Sequence, residues 1–280
     1  MNHIASFLKD EDGATAIEYG LIAGLVSVAI LTVLGFNSIY ADIKQFARSY
    51  TAYTLPAGAL EFEFWQTGRI DKGAGFYYRW QPRFEVEYGI TDRLTASMYF
   101  NLNEVKSSEN PNSSKPLGLS TTSFEFRYRL SNPSEYFVDP ALYFEFGYGG
   151  DKLFYEPKIL LSKRMDKFTT VINLVSEIER APASSKTESK FEISAGIAYE
   201  MSSNVSIGME FRNHRNYSSI YEKELNQATF AGPTISFKAN RLYLVVNFLS
   251  QISGGSAKTN SLDLIGHEKY EIRTILGVEL

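Results

Sequence analysis

No cysteine occurs in the 280 residues, which excludes disulfides, thiol nucleophiles and zinc-thiolate centres. Histidine is nearly as scarce: with only His3, His214 and His267, imidazole acid-base chemistry has few candidates. The net charge of −4 provides no electrostatic attraction to nucleic acid, and no nucleic-acid-binding motif is present. Asp10-Glu11-Asp12 is followed by no calcium loop, and no other pattern calls for a metal or cofactor, so none is expected. Long apolar runs are limited to one, residues 20–36, in which Ser27 and Thr32 are the only polar side chains. Aromatics, by contrast, are abundant, with 18 Tyr and 20 Phe in a chain of slightly negative mean hydropathy. That combination suits a surface apolar at every second residue, as in a transmembrane barrel with aromatic girdles, although a soluble sandwich alternates too.

The apolar run reads as a membrane-inserted helix. At 1.5 Å per residue, residues 20–36 span about 26 Å, the short end of what crosses a bilayer. Its flank, Lys9 to Asp12, is not the basic region of an ordinary secretory signal, and a charge at Glu18 is costly in a membrane-entering helix. The stretch Gly13-Ala14-Thr15-Ala16-Ile17-Glu18-Tyr19 and its surroundings resemble the amino terminus of Flp-type (type IVb) pilins of tight-adherence pili. The resemblance implies cleavage by a prepilin peptidase between Gly13 and Ala14. It also implies that Glu18, beside Tyr19, neutralises the terminal ammonium of a neighbouring pilin subunit. The alternative is a signal peptide cut near Ala41, where Ile39 is a poor residue for the small-x-small site.

Beyond residue 55 the pattern changes to short alternating runs, the signature of strands. They cover 60–65, 77–88, 94–103, 120–130, 141–148, 154–162, 168–179, 190–199, 205–213, 228–238, 242–250 and 267–280. Twelve strands of about ten residues fit an antiparallel transmembrane β-barrel, preceded by one N-terminal hydrophobic helix. The expected domains are therefore a pilin-like leader and helix over 1–50 and a barrel over 51–280. Connections alternate between short turns, such as 164–167 and 201–204, and longer stretches rich in Ser, Asn, Lys and Gly, such as 104–119 and 252–266. Short periplasmic turns opposite long external loops belong to outer-membrane barrels.

The two faces of each strand differ in kind. Phe84, Val86 and Tyr88 oppose Arg83, Glu85 and Glu87, and Tyr270, Ile272, Thr274, Leu276 and Val278 oppose Glu271, Arg273 and Glu279. A charge facing lipid costs a few kcal/mol, so the charged face is assigned to the lumen. The lumen candidates are Glu85, Glu87, Arg127, Arg129, Glu210, Arg212, His214, Glu271 and Arg273. Such a lining serves either conduction or salt-bridged filling. Pro82, Pro157 and Pro233 fall inside predicted strands, where bulges or strand ends are expected.

Residues 52–280 also resemble a family of Gram-negative outer-membrane barrels, through Thr54-Leu55-Pro56-Ala57-Gly58, Tyr88-Gly89-Ile90-Thr91-Asp92, Arg127-Tyr128-Arg129-Leu130-Ser131 and the closing His267-Glu268-Lys269-Tyr270. That resemblance implies a fold without naming a substrate. The carboxyl end resembles the signal read by the barrel-assembly machinery, with Leu280 in place of the usual terminal aromatic. The expected partners are thus the lipid bilayer and the barrel-assembly machinery, with prepilin peptidase and other pilin subunits if the leader acts as in pilins.

The expectation is a porin-like or structural outer-membrane barrel that is not an enzyme and has no catalytic residues. Two other readings stand beside it: a minor pilin of a tight-adherence pilus with a large β-rich surface domain, and an outer-membrane hydrolase built on His214 and His267. No nucleophile motif accompanies those histidines.

Overall fold

The computed structural model describes residues 44–280 apart from 74, 110, 150–151, 182–183, 185 and 256–260. Gly13, Ala14, Glu18, Tyr19 and the expected apolar helix lie outside the described residues. Among those described, no helix is long and apolar enough to cross a membrane, which says nothing of strands.

Twelve strands follow one another along the chain: β1 (Leu60–Ile70), β2 (Tyr77–Thr91), β3 (Leu94–Ser107), β4 (Lys115–Arg129), β5 (Asp139–Gly149), β6 (Lys152–Met165), β7 (Phe168–Ala181), β8 (Lys186–Ser202), β9 (Val205–Ser218), β10 (Lys223–Ala239), β11 (Leu242–Gly254) and β12 (Tyr270–Glu279). Each pairs antiparallel with its sequence neighbours, and β12 returns to β1 in the register Glu61↔Glu279 to Ile70↔Tyr270. The barrel is closed, so no strand edge is left unpaired. The last residue is tied in as well, the amide of Leu280 donating to the carbonyl of Leu60 at 2.8 Å.

Alternation explains why these residues form a barrel. Phe62, Phe84, Phe124, Phe126 and Phe144 are exposed on the outside, whereas Glu61, Glu63, Glu85, Glu125 and Glu145 are buried on the inside. Outer-face aromatics meet across strands, as in the stacked rings of Phe64 and Phe84 at 4.7 Å. Each such pair contributes roughly 0.2–1 kcal/mol.

Two expectations change. The polar stretches assigned to long loops are partly strand: β8 begins at Lys186, β4 at Lys115 and β10 at Lys223, so those hairpins extend into the polar sequence, whereas 252–266 is strand only as far as Gly254. A ladder needs only backbone donors and acceptors, and Ser, Asn and Lys side chains do not prevent it. Pro82, Pro157 and Pro233 lie well inside β2, β6 and β10 with no register shift at any of them. Each keeps a partner on one side, Gln66, Phe144 and Met209 respectively, and interrupts the ladder only on the other. Proline removes one donor, and that donor faces a single neighbouring strand.

Candidate functional site: a hairpin inside the lumen

The described residues from Lys44 onward belong to one compact unit, and residues 44–57 lie within the barrel or against its short-turn end. The sequence reading groups residues 44–50 with the leader; here they pack against lumen side chains. The ascending leg starts with Lys44 beside Glu63 and Gln45 hydrogen-bonded to Ser206, both near the short-turn ends of their strands. The chain bends at 47–49 and descends, with Ala52 donating to Ser162, Leu55 to Thr95 and Ala57 to Asp92 in the β2–β3 turn. Both legs thus point to the same end of the barrel.

One carboxylate organises the bend. Glu210 on β9 accepts the backbone N–H groups of Ala47 at 2.9 Å, Arg48 at 2.8 Å and Ser49 at 2.8 Å, and the side-chain amide of Asn247 at 3.0 Å. Successive N–H groups turned towards one anion form a nest, and charge-assisted bonds of this kind are about twice as strong as neutral ones. Asn173 on β7 then pairs with Tyr50 as a strand would, accepting its N–H at 2.7 Å and donating to its carbonyl at 2.8 Å. A loop threaded through a barrel must have its backbone groups satisfied by side chains, and the lumen provides them here.

Apolar contacts follow the same plan. Three of the four buried apolar clusters among the described residues contain a hairpin residue: Ala47 with Trp65, Val245 and Ile275; Ala52 with Ala141, Tyr143 and Leu160; Phe46 with Val171 and Ala198. Gly196 makes room for the last of these, since a Cβ there would sit 2.6 Å from the Phe46 ring. At the mouth, a Cβ on Gly89 would meet the carbonyl oxygen of Pro56 at 2.0 Å, so only glycine admits the chain there.

The lumen candidates separate into four levels. Near the short-turn end Glu85 and Glu87 face Glu63 and Glu61 across β1 and β2, with Lys44 and the Tyr243 hydroxyl set against Glu63. Burial alone would lower the pKa of Lys44, but the carboxylates of Glu63, Glu85, Glu61 and Glu87 outweigh it and hold Lys44 above its ordinary range. Arg127 sits 2.7 Å from Glu125 and 3.8 Å from Glu87, and Arg129 reaches the Asp92 carbonyl at the rim. At the level of the bend, Glu210 holds the hairpin, while Arg273 donates to Thr67 and to the carbonyl of Ala47. Above it, Arg212 bonds Glu192 at 2.7 Å and lies 3.4 Å from Glu271, and Arg48 from the hairpin tip joins the same two carboxylates at 2.8 and 3.7 Å.

His214 stands higher, its Nδ1 2.9 Å from Nε2 of His267, whose own Nδ1 is 2.9 Å from Asp263. Among the described residues, no three or more His, Asp or Glu side chains are placed so that they could hold one metal ion. Asn173, Ser162, Thr95 and the hairpin's own Arg48 were not singled out by the sequence. For Asn173, Ser162 and Thr95 the one available signal was inward parity on the strands; Arg48, in the hairpin, offers none.

Above the hairpin tip is a cavity of about 720 Å³, floored by Arg48, Tyr50 and Trp65 and reaching up to His214, His267 and Lys72. The molecule is therefore a twelve-stranded antiparallel barrel of the outer-membrane type, with a lumen filled at one end and hollow at the other. The chain belongs to the family of unknown function DUF6662, matched over residues 38–149 and 112–280. Residues 7–48 match the Flp/Fap pilin component family. No curated protein matches the chain. Among solved structures, the COG4313 outer membrane channel from Pseudomonas putida F1 is similar at 10 % identity and a TM-score of 0.60, over 82 % of this chain and 98 % of that one. The NanC porin is similar at 11 % identity and a TM-score of 0.52, over 79 % and 100 %. At these identities the likeness is one of fold.

Proposed function

We propose that this protein is a porin-like channel of the outer membrane in which residues 44–57 act as a built-in plug. The observation that carries this reading is the unequal lumen: a charged cavity open on the strand-extension side ends abruptly on a hairpin held by Glu210, Asn173 and Ser162. A barrel that needed only filling would be filled along its whole length by wall side chains, without a separate segment. The channel and porin folds it resembles support the same class. The strand side chains and the outer apolar band suit a bilayer, and insertion by the barrel-assembly machinery follows from that placement.

The pilin-like leader belongs to delivery. Residues 37–43 are all that separate the apolar run from the hairpin, a reach of about 25 Å at most. On this reading the apolar run is removed, with a cut near Ala41 that leaves the whole hairpin attached to β1. A cut between Gly13 and Ala14 would instead keep the run and make the chain a pilin-like subunit with Glu18 as its assembly residue.

The test is direct. Full-length protein is expected in the outer-membrane fraction with heat-modifiable migration, a mature terminus close to residue 42, and low conductance in a planar bilayer. A variant lacking residues 44–52 is expected to conduct several-fold more. Equal conductance of the two would remove the plug, and recovery in sheared pili with a terminus at Ala14 would overturn the channel reading.

A further inference from the structure

The cavity wall is strongly biased in charge. Among the described residues that line it are eleven Lys and Arg against six Glu, although the whole chain carries −4. Every one of those six carboxylates has a cation within 4 Å: Glu145 has Arg83, Glu156 has Lys158, Glu177 and Glu179 share Lys190, and Glu192 and Glu268 share Arg212. The cations are not matched in return. Arg79 donates to Asn103, Lys72 to the carbonyl of Gly266, and Arg273 to Thr67 and a backbone carbonyl, all neutral acceptors.

These unmatched groups are concentrated on one wall, formed by β12, β1, β2 and the loop between β1 and β2. Arg69 and Arg79 are direct cross-strand partners on the lumen face. Like charges in that relation destabilise a sheet; Glu268 and Glu271 bond Arg69, whereas Arg79 feels Glu268 only at longer range. Lys72 lies next to both; burial lowers its pKa, Glu268 opposes this, and Arg79 adds to the lowering. Lys115 at the start of β4 extends the cationic lining to the outer rim. The open cavity thus has Arg69, bonded by Glu268 and Glu271, beside Arg79 and Lys72, whose own bonds go to neutral acceptors, and that arrangement leaves room for an anion to complete the charge balance. Guanidinium groups bind carboxylate and phosphate oxygens in a planar two-point geometry.

We propose that this wall, with Arg79, Lys72 and Arg69 at its centre and Arg273 below, is a binding site for a water-soluble polyanion carrying carboxylate or phosphate groups, of about mono- to disaccharide size. The size follows from the cavity, which falls within the usual 300–1,000 Å³ of small-molecule sites. The wall faces the lumen and not the outer apolar band, so the ligand is a solute and not a lipid headgroup. The inference gives a solute class to the channel reading and rests on it only for transport; binding itself needs no conduction.

The experiment uses the full chain in detergent. Trp65 lines the cavity and Trp80 is the other tryptophan, so a Trp80→Phe background makes Trp65 the reporter. Citrate and tripolyphosphate are titrated at low ionic strength, with maltose as the neutral control. Saturable fluorescence change is expected for the two polyanions and none for maltose. Arg79→Gln combined with Lys72→Gln is expected to weaken binding at least tenfold, with partial recovery in Arg79→Lys. Lys186→Gln, outside the cavity, is expected to leave it unchanged. Heat-modifiable migration verifies that each variant is folded. Maltose binding as tightly as citrate, or the double variant binding normally, would overturn the site. A barrel that binds citrate but never conducts would instead overturn the channel reading and leave the site standing, while conduction without polyanion binding would do the reverse.

Discussion

Glu210 and Arg48 meet through the backbone: the buried carboxylate accepts the Arg48 amide at 2.8 Å, while the Arg48 guanidinium turns away to Glu192. One acidic residue thus holds the turn of the hairpin, and a second holds its side chain.

Glu210→Gln keeps the shape and removes the charge. Three N–H groups then share a neutral amide, and hairpin docking is expected to weaken by about 1–3 kcal/mol. Hydrogen exchange at Ala47, Arg48 and Ser49 reads this directly; unchanged protection at all three amides would show that the nest does not hold the bend.

Gly196 and Phe46 make a second, steric test. A valine at 196 places Cβ 2.6–2.7 Å from the Phe46 ring and is expected to displace the ascending leg. Phe46→Ala alone costs about 3–5 kcal/mol of docking as a vacated core site. Because the two changes act on one contact, Phe46→Ala in the Gly196→Val background is expected to cost far less than in the natural one. Additive effects in that double-mutant cycle, followed by limited proteolysis of the hairpin, would mean the pair is not in contact.

The outer rim is expected to respond to pH through His267. Burial lowers its pKa, against the opposing hydrogen bond to Asp263. An opened loop therefore binds more protons than the closed one, so closure is fully stable above about pH 6.5 and weakens as pH falls below it. The amide of His267, bonded to the Asp263 carbonyl, is expected to exchange faster at pH 5.5 than at 7.5 after correction for the intrinsic rate. His267→Gln should abolish the difference; a difference that survives it would assign the effect elsewhere.

The barrel was legible because its rule is local. Phe84, Val86 and Tyr88 against Arg83, Glu85 and Glu87 fix the faces of β2 from six residues, and the same rule repeats around the sheet. Strand ends were less legible, as polar hairpin extensions such as the start of β8 at Lys186 pair without any apolar pattern. The hairpin was invisible for another reason. Its bonds run from backbone N–H groups to Glu210, Asn173 and Ser162, more than a hundred residues away, and a backbone donor has no sequence signature. Nothing in the sequence separates Asn173 from other inward polar residues; only the fold makes Tyr50 its partner.

Because Lys44 and Ala57 both lie towards the short-turn end, the hairpin is related to the barrel as a cork to a bottle and not as a thread to a needle. Opening would need no chain end to travel through the wall: the bend could withdraw the way it entered, while Gly58 stays anchored to Gly89. A pull applied from the short-turn side would then be the natural mechanical input, transmitted along a single strand of backbone to one carboxylate.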